Sequence, residues 1–296
     1  MFTFEKEQAY VTIDGITFGG QPGEYPTVLF GGVRTLTQEN RDDISRELQC
    51  QAELSERFGI PCSVDLFIRK KEHIAQRLDF VAQAIPGPFL LDLPFAQLDL
   101  KRATLAYAVQ AGLQGRIIYN SINAKTTAEE AAMINEYGIR SAVLLALDMS
   151  NMSTDGSLHL LERHLLPAAA QAGIEHILVD PGTLPFDNDN VAGNVLRSLM
   201  KIKLETGLPV GCAMINLVES WTYFTAHARG EAYTGAVTSL NAAVQLAGAD
   251  FLIYGPVGFA ERIFPSVAMM DKLISEANTG YFGIHPKTPN HPRFKA

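Results

Sequence analysis

From Thr27 onward, short apolar runs alternate with longer stretches in which apolar residues recur at helical spacing. The short runs read as strands buried on both faces, and the longer ones as helices laid against them. Strands are predicted to start near Thr27, Ile60, Phe89, Arg116, Ser141, His176, Pro209 and Phe251. Eight strand–helix units are the repeat count of the (β/α)8 TIM barrel, an α/β fold in which this chain length is usual. Ahead of the repeats, residues 10–20 read as two short strands around Asp14-Gly15, a two-residue hairpin signal placed to plug one end of the barrel.

Boundary residues sharpen the helices. Thr37 precedes one that runs to Phe58 before Gly59, Thr127 caps another ending near Tyr137 before Gly138, and Asn190 opens a third ending before Gly207. Gly112, Gly173, Gly207 and Gly248 fall where helix C-caps belong. No linker, low-complexity tract or charge block interrupts the series, so residues 1–296 read as one domain, with residues 1–20 as the hairpin and residues 278–296 as a tail along the surface.

Composition narrows the class. The 296 residues are 47% hydrophobic, enough for one large core. A net charge of -8 argues against the basic face that nucleic acid requires. Cys50, Cys62 and Cys212 are odd in number and lack Cys-x-x-Cys spacing, which points away from disulfides or a zinc knuckle and toward a reducing cytoplasm. The start, Met1-Phe2-Thr3-Phe4-Glu5-Lys6-Glu7, lacks the apolar core of a signal peptide, and no run of about 18 apolar residues predicts a membrane span.

Candidate chemistry gathers at the strand ends. Phe89-Leu90-Leu91 closes on Asp92, Ile117-Ile118-Tyr119 on Asn120, Ile177-Leu178-Val179 on Asp180 before Pro181-Gly182, and Met214-Ile215 more loosely on Asn216. Asp92, Asn120 and Asp180 each lie two residues from an apolar neighbour and so share its face. Because a carboxylate turned toward the helix layer would be costly, these groups are expected to face the C-terminal mouth of the barrel. Asp65, deeper in its strand, should also point inward. Asp65, Asn123 and Asp148 are candidates for supporting the ring, with a hydrogen-bonded structural acid as the competing reading of Asp65, and a turn cap as that of Asn120 and Asn123. For Asp180 the competing reading is Asp-Pro-Gly turn chemistry.

Several chemistries lack their residues. No strand ends on His, which speaks against a His-based metal site, and no strand carries Lys, which speaks against a Schiff base. Lys and Arg are not read at strand ends; Arg69-Lys70-Lys71 reads as a solvated helix start, and Asp187-Asn188-Asp189 as a capping loop rather than a cation site. What remains is a ring of acids and amides around an apolar cavity. It suits a planar heterocycle with several N–H donors, such as the aminopyrimidinone of a pterin.

The segments Gly19-Gly20-Gln21-Pro22-Gly23-Glu24-Tyr25-Pro26-Thr27-Val28-Leu29, Phe89-Leu90-Leu91-Asp92, Asn120-Ser121-Ile122-Asn123 and Val179-Asp180-Pro181-Gly182 resemble the H-subunit family of tetrahydromethanopterin S-methyltransferase. More broadly, the chain is similar to the pterin-binding methyltransferases that include methyltetrahydrofolate:corrinoid protein methyltransferase. The resemblance implies that Asp92, Asn120 and Asp180 hold the pterin edge and that Asn216 is the catalytic residue beside the reacting N5. The Asp-x-His-x-x-Gly motif of a corrinoid module is missing, as are the His and Cys ligands of zinc-dependent methyltransferases. The cobalamin or other corrinoid is therefore expected on a partner protein docking over the mouth, with no metal held by this chain. A homodimer through the outer helices at residues 103–111 or 237–246 is also implied.

The function expected is methyl transfer between a methylcorrinoid protein and N5 of tetrahydrofolate. Folate is preferred for the self-contained chain and for a charged content of 19%, which does not resemble a hyperthermophile. The alternatives are a tetrahydromethanopterin-specific subunit of a membrane complex, and a condensation enzyme of the dihydropteroate synthase type.

Overall fold

Asp14 and Gly15 both take positive φ (41° and 86°), and this turn joins Tyr10–Ile13 (β1) to Ile16–Gly19 (β2) in an antiparallel hairpin. The computed structural model describes residues 3–186 and 191–295. After the hairpin come Val28–Val33 (β3), Arg41–Phe58 (α1), Cys62–Phe67 (β4), Ile74–Ala84 (α2), Phe89–Asp92 (β5), Leu98–Gln110 (α3), Ile117–Ile122 (β6), Ala128–Glu136 (α4) and Ser141–Leu145 (β7). The second half continues with Thr154–Leu160 (α5), Leu166–Gln171 (α6), His176–Asp180 (β8), Asn194–Thr206 (α7), Gly211–Cys212 (β9), Ile215–Ser220 (α8), Thr222–His227 (α9), Glu231–Leu246 (α10), Phe251–Pro256 (β10) and Ala260–Phe282 (α11).

Strands β3 to β10 make one parallel sheet in the order β8-β7-β6-β5-β4-β3-β10-β9. A bridge between Val179 and Val210 brings its two edges together and closes the (β/α)8 barrel. Closure sorts the side chains by parity. Val28, Phe30, Leu90, Ile118, Val143, Leu178 and Phe251 fill the interior, whereas Leu29, Leu66, Phe89, Leu91, Tyr119, Val179 and Tyr254 pack outward against the helices. The hairpin plugs the interior as expected: Ile13 and Phe18 join the inner cluster, with the Phe18 ring stacked 5.9 Å from Phe30 and edge-on 6.5 Å from Phe251.

Most predicted boundaries hold within two residues. Thr127 accepts from the Glu130 N–H as the cap of α4, and the four C-cap glycines all have positive φ. Two features differ. Helix α1 starts at Arg41 because the Thr37 N–H donates to Asn40 Oδ1 (2.7 Å) in a turn that precedes it. The strand expected from Pro209 shrinks to Gly211–Cys212, since Met214, Ile215, Leu217 and Val218 are all buried at helical spacing and α8 begins at once. Asn190 and the run 187–189 lie outside the described residues.

The C-terminal segment is mostly exposed but is anchored to the body at several points. Asn278 lies within α11, is fully buried and donates to the Pro22 carbonyl (2.7 Å); His291 is also fully buried. Lys287 pairs with Glu24 at 2.8 Å, and its backbone N–H donates to the Glu24 carbonyl. No proline interrupts residues 278–283, so the helix runs on until Gly283 ends it. These contacts anchor the segment 20–25 that leads from the hairpin into β3. No helix among the described residues is long and apolar enough to cross a membrane.

Removing the plug should open the bottom of the barrel. Phe18→Ala is expected to lower unfolding free energy by about 3–5 kcal/mol, read from the shift of the urea midpoint at unchanged slope.

Candidate functional site

The apolar interior stops one residue pair below the C-terminal ends of the strands, and polar groups take over there. Asp92 and Asn120 are direct register partners on β5 and β6, each two residues beyond a buried interior residue, Leu90 and Ile118. Asp180 ends β8 in the same relation to Leu178. All three line a cavity of about 300 Å³, together with Asp65 and Asn216. Gly32, Ala213 and Gly255 occupy the corresponding inward positions on the opposite wall, where the absence of large side chains leaves the cavity open. A volume of that order accommodates a small heterocycle.

Asp180 is held by its own turn. The Gly182 N–H donates to Asp180 Oδ1 at 2.6 Å. Gly182 has φ of 74°, and a Cβ there would lie 2.8 Å from the Leu147 side chain, so the Asp-Pro-Gly turn depends on glycine. Turn chemistry and cavity position coexist, because one oxygen serves the turn while the residue still lines the cavity. Burial pushes the carboxyl up to about 7, against the opposing pull of the Gly182 N–H. Burial likewise raises Asp92 above the usual carboxylate range, opposed chiefly by the Arg69 guanidinium.

The arginines correct the expectation that no basic residue stands at a strand end. Arg34 follows β3 directly and Arg69 lies two residues beyond β4; both line the cavity. Arg69 meets Asp92 Oδ1 at 2.9 Å and donates to the Asp92 backbone carbonyl at 2.8 Å. Arg34 pairs with Glu219 of α8 at 3.2 Å, and both guanidinium groups lie over the Phe67 ring, 5.6 Å and 4.8 Å from its centroid. Arg77 braces them from behind, donating to the carbonyls of Arg34 and Phe67. The sequence signal was present in the position of Arg34 after Gly31-Gly32-Val33. Arg69 was disguised by the adjacent lysines, which are exposed.

Asn216 reaches the cavity by a different route from the one expected. It stands in the first turn of α8 rather than at a strand end, with its backbone N–H bonded to the Ala213 carbonyl (3.2 Å). Among the supporting candidates, Asp65 lines the cavity, whereas Asn123 and Asp148 do not. Asn123 is buried and ties the Ser121 carbonyl and the Lys125 N–H into the turn after β6. Asp148 accepts from the backbone and hydroxyl of Ser150, which hold it below the usual carboxylate range. Both are therefore spent on local loops. Among the described residues no cluster of His, Cys, Asp and Glu is suited to a metal ion.

A buried network behind the rim was not legible in sequence. Lys101 on α3 pairs with Glu130 on α4 at 2.7 Å, and Glu130 also accepts from the Tyr119 hydroxyl on β6 at 2.7 Å. The same ammonium donates to the Phe95 carbonyl at 3.1 Å, fixing the loop whose Leu93, Pro94 and Phe95 wall the cavity.

Residues 6–287 match the family model described as tetrahydromethanopterin S-methyltransferase MtrH subunit. The chain is 32% identical to the H subunit of tetrahydromethanopterin S-methyltransferase from Methanothermobacter thermautotrophicus, over 100% of this chain and 99% of that protein. It is also 32% identical to the H subunit of the putative methyltransferase mtx from Methanosarcina mazei, with 94% of each chain covered. Among solved structures, dihydropteroate synthase of Xanthomonas albilineans aligns with a TM-score of 0.64 at 17% identity, covering 90% of this chain and 98% of that one. That of Yersinia pestis aligns with a TM-score of 0.65 at 15% identity, over 89% and 98%. At such identity the likeness establishes the barrel fold alone. The relatives named for tetrahydromethanopterin overturn the preference for tetrahydrofolate. That preference leaned on charged content, which reports on working temperature and carries no information about the pterin.

The raised Asp180 carboxyl sets a pH dependence. Its folded pKa of about 7 exceeds the unfolded value of about 3.9, so the protonated form stabilises the fold fully below about pH 4, and that contribution is lost as pH rises through about 7. Asp180→Asn should therefore raise the stability of the empty protein at pH 8 by about 2–4 kcal/mol and have almost no such benefit at pH 4, as read from urea midpoints at the two pH values.

Proposed function

As the chain belongs to the tetrahydromethanopterin S-methyltransferase MtrH subunit family, we propose that it moves a methyl group between N5 of tetrahydromethanopterin and a corrinoid carried by a separate protein. The single observation that carries this reading is the convergence of Asp92, Asn120, Asp180 and Asn216 on one cavity at the barrel mouth. Asp92 and Asp180 are acceptors for the amino and ring N–H groups of the pterin, while the Asn120 amide both accepts and donates. Three such groups around one planar ring fix its rotation as well as its depth.

Methyl transfer to N5 needs the nitrogen lone pair aimed at the methyl carbon, and transfer away from N5 needs a proton on the departing nitrogen. Asn216 serves both directions. Its carbonyl accepts from N5–H while the lone pair faces the methyl carbon, and in the other direction its amide N–H donates to the lone pair of the methylated N5 until a proton arrives, which the carbonyl then holds, so it positions the nitrogen without committing to one protonation state. The corrinoid supplies the cobalt centre that gives or takes the methyl group. Everything this chain contributes is binding, orientation and exclusion of water.

The partner must approach over the mouth, because the hairpin seals the other end. Exposed aromatic residues stand on this side: Phe95 in the cavity wall, and Trp221 and Tyr223 just beyond α8, with Phe186 packed 5.6 Å from Trp221. Such a patch suits docking of another protein.

Calorimetric titration with tetrahydromethanopterin, followed by assay of methyl transfer from its N5-methyl form to a reduced corrinoid, tests the reading. Asn120→Ala and Asp180→Ala are each expected to weaken pterin binding by about 10- to 100-fold. Asn216→Ala should lower turnover by about 10- to 100-fold with a much smaller change in affinity. Unchanged affinity in both binding-site variants would remove the assignment of the cavity.

A further inference from the structure

Arg69 lines the cavity, yet no step of the reaction as proposed uses it. Its guanidinium holds Asp92 at two points: Nη1 donates to the Asp92 backbone carbonyl at 2.8 Å, and Nη2 meets Asp92 Oδ1 at 2.9 Å. The β4–β5 register sets up this grip. Phe67 pairs with Asp92, and the Ile68 N–H donates to the same carbonyl at 3.1 Å, so the Arg69 stem starts beside its target. The guanidinium lies 4.8 Å from the centroid of the Phe67 ring, and Arg77 fixes the Phe67 carbonyl from behind.

A planar fork that bonds both the carboxyl and the carbonyl of one residue fixes that side chain against its own backbone. The grip uses Oδ1. Oδ2 accepts from no described residue and remains accessible, in a side chain that is 22% exposed at the cavity wall. Charge decides whether that oxygen can serve a ligand. Asp65 of β4 and Asp180 of β8 line the same cavity and oppose a further negative charge, while Asn120, beside Asp92 on β6, is neutral. Arg34 beyond β3 is committed to Glu219 at 3.2 Å, which leaves Arg69 as the cation directly on Asp92. Burial pushes the Asp92 carboxyl up, and the Arg69 guanidinium is the chief force pulling it down, with Arg34 adding to it.

An ionised Asp92 accepts from the amino and ring N–H groups of a pterin, whereas a protonated one sets a hydroxyl against them. Without the guanidinium, burial governs the carboxyl and a larger share of it holds its proton at neutral pH. We propose that Arg69 is a positioning residue that keeps Asp92 charged and oriented so that Oδ2 accepts from the ring, without itself bonding the ligand. The inference rests on the pterin reading above and adds the residue that makes Asp92 competent. Because the Arg69 side chain is 44% exposed, solvent screens the pair and the effect is moderate.

Calorimetric titration with tetrahydromethanopterin between about pH 7 and about pH 9 compares the unaltered protein with Arg69→Met, which removes the charge and keeps an apolar stem. The ratio of the two affinities at each pH cancels the titration of Asp180, which both proteins share. Arg69→Met is expected to weaken binding about tenfold at pH 7 and less than about threefold at pH 9, because the released Asp92 ionises as pH rises. Arg69→Lys, which returns the charge without the fork, should recover part of the loss at pH 7. In an Asp92→Asn background, with no carboxyl to hold, Arg69→Met should change affinity by less than about twofold. An equal loss at every pH would mark a purely structural role, and a full loss in the Asp92→Asn background would mark direct contact between Arg69 and the ligand. Either result, or unchanged affinity in Arg69→Met, would overturn the inference while leaving the pterin reading intact. Failure of the unaltered protein to bind tetrahydromethanopterin would overturn both. Should Arg69→Met not fold, Arg69→Gln, equally uncharged, gives the same comparison.

Discussion

Strand parity in a closed sheet is the constraint on which the rest of this molecule depends. Once eight parallel strands curl into a barrel, every second side chain must enter a narrow interior, and the others must meet the helices. Here the inward set is apolar for most of the strand length, with Phe30, Leu90, Ile118, Val143, Leu178 and Phe251 closing over the hairpin residues Ile13 and Phe18. The next inward positions are Gly32, Asp92, Asn120, Leu145, Asp180 and Ile253, all at the cavity wall. A solid plug and a polar cup thus share the same strands. The boundary between them is one residue pair wide.

That arrangement concentrates negative charge where water is scarce. Asp65, Asp92 and Asp180 are all raised by burial, and only Asp92 has an arginine directly upon it. In the empty protein such groups destabilise the fold when ionised, which is the usual condition of a site that keeps its polar groups unsatisfied for a ligand. Arg34 and Arg69 limit the cost from the rim, and Arg77 limits their movement by fixing the backbone from which they start. The Lys101–Glu130–Tyr119 network performs the same service for the loop after β5 through Phe95. Its charges are nearly fully buried but mutually paired, so the network constrains geometry without leaving an isolated charge.

Family membership and site geometry bear on different questions. The match over residues 6–287 identifies the chain as a member of a methyltransferase subunit family. The dihydropteroate synthase neighbours share the barrel at 15–17% identity, which speaks to architecture only. The local chemistry of this chain comes from its own residues, above all from the adjacency of Asp92 and Asn120 across a register pair and the immobilised turn at Asp180.

By itself the sequence determined the elements whose signals are local. The short apolar runs, the Asp14-Gly15 turn, the C-cap glycines and the acids two residues beyond an apolar interior position all depend on spacing along one strand or helix, and they placed the barrel, the plug and the strand-end positions of Asp92, Asn120 and Asp180. Tertiary structure alone decided what depends on neighbours distant in the chain. Asn216 moved onto a helix because four buried apolar positions from Met214 to Val218 outcompete an extended run. The segment after residue 278 is anchored rather than loose, because Glu24 and Pro22 wait to receive it. Arg69, though 44% exposed, reaches the site because the β4–β5 register sets Asp92 opposite Phe67, within its reach. Asp65 shows the limit most clearly: parity along β4 points it inward, but whether it meets a partner or a cavity depends on the strands beside it, and those are brought together only when the barrel closes.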